Sequence, residues 1–253
     1  MHQTTWEAGP ACTGYFGIAR WQAWAPGVDS PGDWRTWLNG GTAPNPETQA
    51  DVGQLPALLR RRLDRLGRMA MHTAWSCVDG LDAVQIVFAS RHGALRRTLE
   101  MLTALAYSEP LSPTVFSLAV HNSPAGLYSI ARKDRSAATA LAAGPDTLSM
   151  ALLEGAGMIA AGSSRVLVCY ADDLLPPFYQ PYVEPQPTRA PFSISLLLTS
   201  AAESPLRCRL AQTTGTAPEA PEAALLRFFV ENAAEAMIGA DQPWRLERSP
   251  SAG

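Results

Sequence analysis

"SAATALAAGPDTL", residues 136–148, joins a run of small, strand-like residues to an apolar helical pattern through a Gly-Pro-Asp break. Elbows of this kind hold one side chain up beside the unbonded N–H groups of a helix start, a common seat for a nucleophile. Here the tip offers Leu141, Ala142 and Ala143, none of which can attack a carbonyl. The turn has the form of a reactive elbow without a reactive atom.

Working outward, the flanking segments alternate between the two periodicities. "GYFGIARWQAW" (14–24) reads as a strand, and "SPGDWRTWLNGG" (30–41) as a short helix capped by Ser30 and stopped at Gly40-Gly41. Residues 42–54 read as a polar loop. From Pro56 to Val78 the spacing of Leu58, Leu59, Leu63, Leu66, Met69, Ala70 and Ala74 predicts one long amphipathic helix. A strand at 82–90 and a helix at 93–107 follow. After the breakers of "SEPLSPT", the segment "VFSLAVHNSPAGLYSIARK" is expected to be helical in its second half. Beyond the elbow come a helix at 146–162, a strand at 165–172, a Pro-rich connection (174–191), strands at 192–200 and 206–212, and an amphipathic helix near 221–238. The order β-α-β-α-β-α-β-β predicts an α/β fold, with a mainly parallel mixed sheet, helical crossovers and one antiparallel addition. Residues 14–240 form one domain in this reading, between an extension (1–13) and a loose tail (241–253).

With 47% hydrophobic and 17% charged residues the chain has the composition of a globular core, and its net charge of −3 gives no footprint for nucleic acid. The dense basic run "RRRLDRLGR" (Arg60 to Arg68) fits a solvated helix face or a docking face for an acidic partner such as a carrier protein. Cys12, Cys77, Cys169 and Cys208 form no CxxC pair, so neither a zinc site nor a disulfide framework is expected. No signal peptide is visible and no apolar run reaches the ~18 residues of a membrane span. The chain reads as cytoplasmic.

Few residues carry chemistry. Of the four histidines, His2 is terminal, His72 lies within a helix, His92 follows a strand in "ASRHG", and His121-Asn122 interrupts an otherwise small and apolar stretch. The pair His121-Asn122 fits either helix-start capping or a polar contact at a pocket or subunit interface. No GxSxG, GxGxxG or GxxxxGK[ST] occurs. The paired acids of "YADD" (170–173) have no histidine at matching spacing and read as surface or capping acids, and Cys169 reads as inert core. No metal and no cofactor is implied.

Taken in order, these segments resemble the N-terminal half of the β-ketoacyl synthases, the condensing enzymes of thiolase-like fold. "WRTWLNGG" resembles the end of the family's opening strand and short helix, and "DRLGRMAMHTAWSCVDGL" its long helix. "VQIVFASRHGALRRTLEML" resembles its glycine-rich strand and helix, and "PLSPTVFSLAVHNSPAGLYSIA" the segment that carries Asn and Ala-Gly. "ATALAAG" (138–144) resembles the family's "TACSSG", and "ALLEGAGMIAAGSSRVLVCYADD" the helix and strand after it. The resemblance spans roughly residues 14–212.

Two departures shape what it implies. The family's nucleophilic cysteine falls at Leu141, and the approach "RKDRSAAT" is shorter than the family's. The resemblance also ends where the family's second half begins, so the two decarboxylating histidines of that half find no counterpart. Condensation needs a thiolate to hold the acyl chain and donors to polarise its carbonyl. A half without a nucleophile is similar to a chain-length factor, the silent subunit that pairs with a full-length ketosynthase and shapes a shared acyl tunnel fed by an acyl carrier protein. The resemblance extends to half-length subunits of aryl polyene and related pigment pathways, in fatty acid or polyketide-type biosynthesis. It implies a heterodimer, and places tunnel or interface positions at Val115, Phe116, Ala119, His121 and Asn122, with Val115 at the gate. Two other readings fit the residues: a stand-alone acyl-thioester transferase or hydrolase using Cys77, Cys169 or His121, and a self-associating scaffold. The helix around "ALLRFFVENAAEAMIG" is expected to patch the face left by the second half through Phe228, Phe229, Val230 and Met237.

Overall fold

The structure is a computed structural model and describes residues 13–28, 30–41, 47–182 and 190–249. Cys12 and His2 lie outside these residues, as does most of the expected N-terminal extension. In chain order the elements are β1 (Phe16–Trp24), α1 (Pro31–Leu38), α2 (Ala57–Arg60), α3 (Arg65–Val78), β2 (Gln85–Ala89), α4 (Leu95–Ala106), α5 (Pro113–Leu118), α6 (Ser123–Arg132) and β3 (Ala138–Leu141). They continue with α7 (Thr147–Ala160), β4 (Arg165–Asp172), β5 (Phe192–Ser200), β6 (Leu206–Gln212), α8 (Pro221–Val230), β7 (Glu235–Ile238) and β8 (Trp244–Arg248).

All eight strands join one sheet in the order β3-β2-β4-β5-β1-β6-β8-β7. Strand β2 runs parallel to both of its neighbours, β3 and β4, through helical crossovers. Every other pairing is antiparallel, so the sheet is mixed, as expected, but less parallel than the sequence order suggested. The reason lies in the connections: β5 enters beside β4 after the long Pro-rich segment, and β7 and β8 are joined by a short turn that only antiparallel neighbours can use.

The period-two alternation of the central strands feeds two cores. In β4, Val166, Val168 and Tyr170 face a cluster with α7, α8 and Trp34 of α1, while Leu167, Cys169 and Ala171 face one with α3 and α6. Both faces of the central sheet are therefore covered, which accounts for the nearly continuous apolar run of β5, "FSISLLLTS". Three hydroxyls sit in the second interface without cost: Thr73 Oγ1 meets Ser193 Oγ at 2.8 Å and Ser195 Oγ at 2.9 Å, so each buried oxygen has a partner.

The expected helix over 56–78 is two. Asp64 interrupts it by turning extended and accepting a hydrogen bond from Gly67 N at 2.8 Å, a side-chain cap that starts α3 afresh. Residues 42–54 were expected as a polar loop; 42–46 lie outside the described residues, but Ala50 and Val52 are buried against α3. The helix expected to 238 stops at Val230, because Asn232 adopts a left-handed conformation and Ala236 and Ile238 then alternate inward as strand β7. The segment set aside as a tail from 241 supplies β8, whose Trp244 and Leu246 are buried, and only 250–253 lie beyond the described residues. Helix α8 does cover the sheet: Phe228 is fully buried and Phe229 stacks on Trp21 with ring centroids 4.8 Å apart.

Candidate functional site

Strand β3 lies at the sheet edge, paired with β2 from Ile86↔Ala138 to Ala89↔Leu141. The pairing is extended by Ser90 N, which donates to Leu141 O at 3.2 Å. The chain then turns through Gly144 and starts α7, where Thr147 Oγ1 accepts from Ala143 N (3.0 Å) and donates to Gly144 O (2.7 Å). Leu141, half-buried, packs its side chain on the larger core. The elbow exists as the sequence predicted, and its tip is apolar.

The carbonyl of the same residue, Ser90, meets His121. Its Nε2 lies 2.8 Å from Ser90 O. A carbonyl oxygen only accepts, so Nε2 carries a proton and donates it there. The His121 ring also leans on Phe88, 5.8 Å between centroids. Leu141 and His121 are thus brought to one residue, Ser90, which the rest of the expected set is not shown to bond. Val115 and Ala119 are half-buried, Asn122 is exposed, and Phe116 is 63% exposed on α5. Asn122 precedes α6 but makes no side-chain cap. Neither α4 nor α5 contains a fully buried residue, and between them they show solvent Leu102, Leu105, Tyr107, Leu111 and Phe116.

Beside this, the end of β4 organises the turn after β2. The Asp172 carboxylate accepts from Ser90 Oγ at 2.8 Å and from the N–H groups of Arg91 and His92. Asp173 pairs with Arg65 at 2.8 Å. Helix-capping or surface acids were expected in "YADD"; instead Asp172 ties down the turn after β2 and Asp173 holds an arginine of α3. Among the described residues, no three His, Cys, Asp or Glu side chains converge on a point where a metal ion would sit. His92 lies against this turn; burial holds its imidazole below the ordinary histidine value against the opposing pull of Asp172, and its Nε2 has no hydrogen-bond partner. What sequence reasoning missed was Asp146, which is buried and spent on backbone groups far along the chain. Its signal was an acid at a helix start, indistinguishable in sequence from a routine cap.

The remaining nucleophile candidates are closed off. Burial pushes the thiols of Cys77 and Cys208 up to about 12 and that of Cys169 up to about 11, far from any useful thiolate population at neutral pH. Cys77 Sγ donates to Ser195 O and Cys169 Sγ to Ala70 O, both inside the core. In the basic run, Arg65 is consumed by Asp173 and Asp64 is engaged by Arg97, whereas Arg61 and Arg62 are exposed. None of the helices among the described residues is long and apolar enough to cross a membrane.

Comparison with known proteins agrees with this geometry. No curated protein is significantly similar in sequence. Among solved structures, a chain of the complex between the ketosynthase ApeO and its chain length factor ApeC from Xenorhabdus doucetiae is 29% identical. Its TM-score is 0.77, over 92% of this chain and 99% of that one. A β-ketoacyl synthase from Burkholderia phymatum STM815 is 14% identical with a TM-score of 0.57, over 89% of this chain and 71% of that one. The ishigamide ketosynthase/chain length factor is 12% identical with a TM-score of 0.51, over 74% of this chain and 59% of that one, a likeness of fold. The family described as "Beta-ketoacyl synthase, N-terminal domain" matches residues 34–243, most of the chain. The sheet order, the elbow and this match together make the protein a member of the β-ketoacyl synthase family, with a thiolase-like α/β fold.

Proposed function

We propose that this chain is a silent, chain-length-factor-type subunit that pairs with a full-length ketosynthase and forms part of the wall of a shared acyl tunnel. The observation that carries the reading is the apolar Leu141 at the tip of an otherwise intact elbow. An aliphatic side chain offers no lone pair for an acyl chain, so the elbow's remaining use is structural. The relative from Xenorhabdus doucetiae, of similar length, comes from a ketosynthase and chain length factor complex and supports the same assignment.

The partner face in this reading is the open side of β3 together with α4, α5 and the outer side of α6. Among the described residues no strand pairs with the outer edge of β3, and Leu102, Leu105, Phe116, Val120 and Ile130 are exposed apolar surface. Val115, Phe116 and Ala119 would meet the partner's tunnel there, with His121 and Asn122 behind them. His121 acts in this arrangement by fixing the turn before α6 against Ser90. Arg61 and Arg62, exposed beside Arg60 and Arg68, offer a positive face for an acidic acyl carrier protein. A fatty acid or polyketide-type pathway of the aryl polyene kind follows from the resemblance.

The test is co-expression with a full-length ketosynthase from the same source. A one-to-one heterodimer by light scattering, with acyl adduct found by intact mass only on the ketosynthase, is the expected result. A covalent acyl adduct on this chain, or a stable homodimer indifferent to the ketosynthase, would overturn it.

A further inference from the structure

We propose that the β7–β8 hairpin is a latch seated on the elbow, with Asp146 as its catch, and that the shape of the 138–143 segment depends on the latch being shut. The inference is independent of the partner assigned above. Asp146 stands at the start of α7 but does not cap its own helix. Its side chain instead reaches the hairpin turn, where Oδ1 accepts from Ala240 N at 2.7 Å and Asp241 N at 3.1 Å, and Oδ2 from Gln242 N at 3.1 Å. The residue is only 7% exposed. Three backbone donors converging on one buried carboxylate make a charge-assisted nest that water cannot replace.

The hairpin is shaped to fit this seat. Gly239 has φ +103°, and a Cβ there would overlap Gln242 O and lie 3.2 Å from both Asp146 Oδ1 and Ser149 Oγ. Only glycine lets the turn close on the carboxylate. On the elbow side the contact passes through short links: Ser149 Oγ donates to Asp146 O, and Thr147 Oγ1 joins Ala143 N to Gly144 O. Among the described residues strand β3 has a neighbour on one side only, so its last residues take their position from β2 and from this turn. The two ends of the chain segment 146–242 thus bias one local equilibrium, and a change at either must be felt at the other.

Hydrogen exchange on the full chain tests this from both sides. Asp146→Asn keeps the shape of the catch and removes its charge; Gly239→Ala leaves the elbow's own residues unchanged and disturbs the hairpin side, where its Cβ would press on the catch. In each variant, amides of 138–143 and of 240–242 should exchange about tenfold faster or more, while those of β4 and β5 keep their protection. Acceleration confined to the altered side in both variants would overturn the coupling. Uniform acceleration of every segment in both would also overturn it, because the hairpin would then be an ordinary part of one cooperative core.

Discussion

His121 and Gly93 occupy each other's space: a Cβ built on Gly93 would lie 2.8 Å from His121 Cδ2, and the Gly93 backbone sits at φ +58°. The absence of a side chain at 93 is what lets the imidazole lie over the turn and donate to Ser90 O. Gly93→Ala adds a left-handed backbone penalty to a steric one and should cost about 2 kcal/mol or more. In the His121→Ala background the steric part disappears, so denaturant titrations of the four proteins should show a positive coupling between the two sites. Additive costs would mean that the two residues do not share the space.

Leu141→Cys restores the family's atom at the elbow but not its chemistry. The new thiol would stand close in sequence to the buried Asp146 carboxylate, and His121, which meets the neighbouring Ser90, is engaged with its carbonyl. The purified variant should give no condensation product from acyl and malonyl thioesters. Detectable product without a partner protein would defeat the silent-elbow reading.

Phe116 is exposed, so Phe116→Ala should change the stability of the isolated chain by less than about 1 kcal/mol, unlike a core truncation. In the co-expressed complex the same variant, or Val115→Ala if the register differs by one, is expected to lengthen the acyl products. Val115→Trp should shorten them or stall synthesis, since packed walls yield little to overfilling. Product-length profiles per amount of intact complex decide it: an unchanged distribution argues against a gate on α5.

Asp134 gives the stability a pH dependence. Burial alone pushes its carboxyl up, but hydrogen bonds from Val84 N and Ser136 N, with Arg132 nearby, outweigh it and hold the group below the ordinary carboxylate value. A depressed native value means that its stabilisation is complete above the unfolded carboxyl value of about 3.9 and fades as pH falls through the native one. Asp134→Asn should lower neutral-pH stability by about 1–3 kcal/mol and flatten the acid limb of the stability curve. Unfolding free energies measured from pH 7 downwards test both effects; an unchanged acid limb contradicts the assignment.

Cys77, Cys169 and Cys208 should resist iodoacetamide at pH 8 in the folded protein and react fully in guanidinium, because burial suppresses their thiolates. Peptide mapping of the alkylated chain reads this directly. Labelling of any of the three at native protection would reopen the stand-alone enzyme reading.

The central strands and α7 were legible because burial on two faces writes continuous apolar runs, and the elbow because glycine and proline punctuate it. The break at Asp64 was not, since Leu63 and Leu66 keep helical spacing across it and only the Asp64–Gly67 bond reveals a new start. The region from 231 to 248 misled for a similar reason: "ENAAEAMIG" favours helix by composition, and it is the left-handed Asn232 and the pairing of Ala236 with Leu246 that make it sheet. At the site, Leu141 could be placed from its neighbours in sequence, whereas the uses of His121, Asp146 and Asp172 depend on residues between 31 and 96 positions away. Long-range polar contacts leave no periodic trace.

The sheet ends differently at its two borders. At one, β7 places Glu235 beside Arg245, the kind of charged fringe that discourages a further strand. At the other, β3 shows Ala138, Thr139 and Ala140, small and uncharged. In the proposed complex such a sheet would have a valence of one, with an open strand edge at β3 and a charged fringe at the far end. Growth through backbone pairing at β3 would then stop at a pair and not run on into a filament.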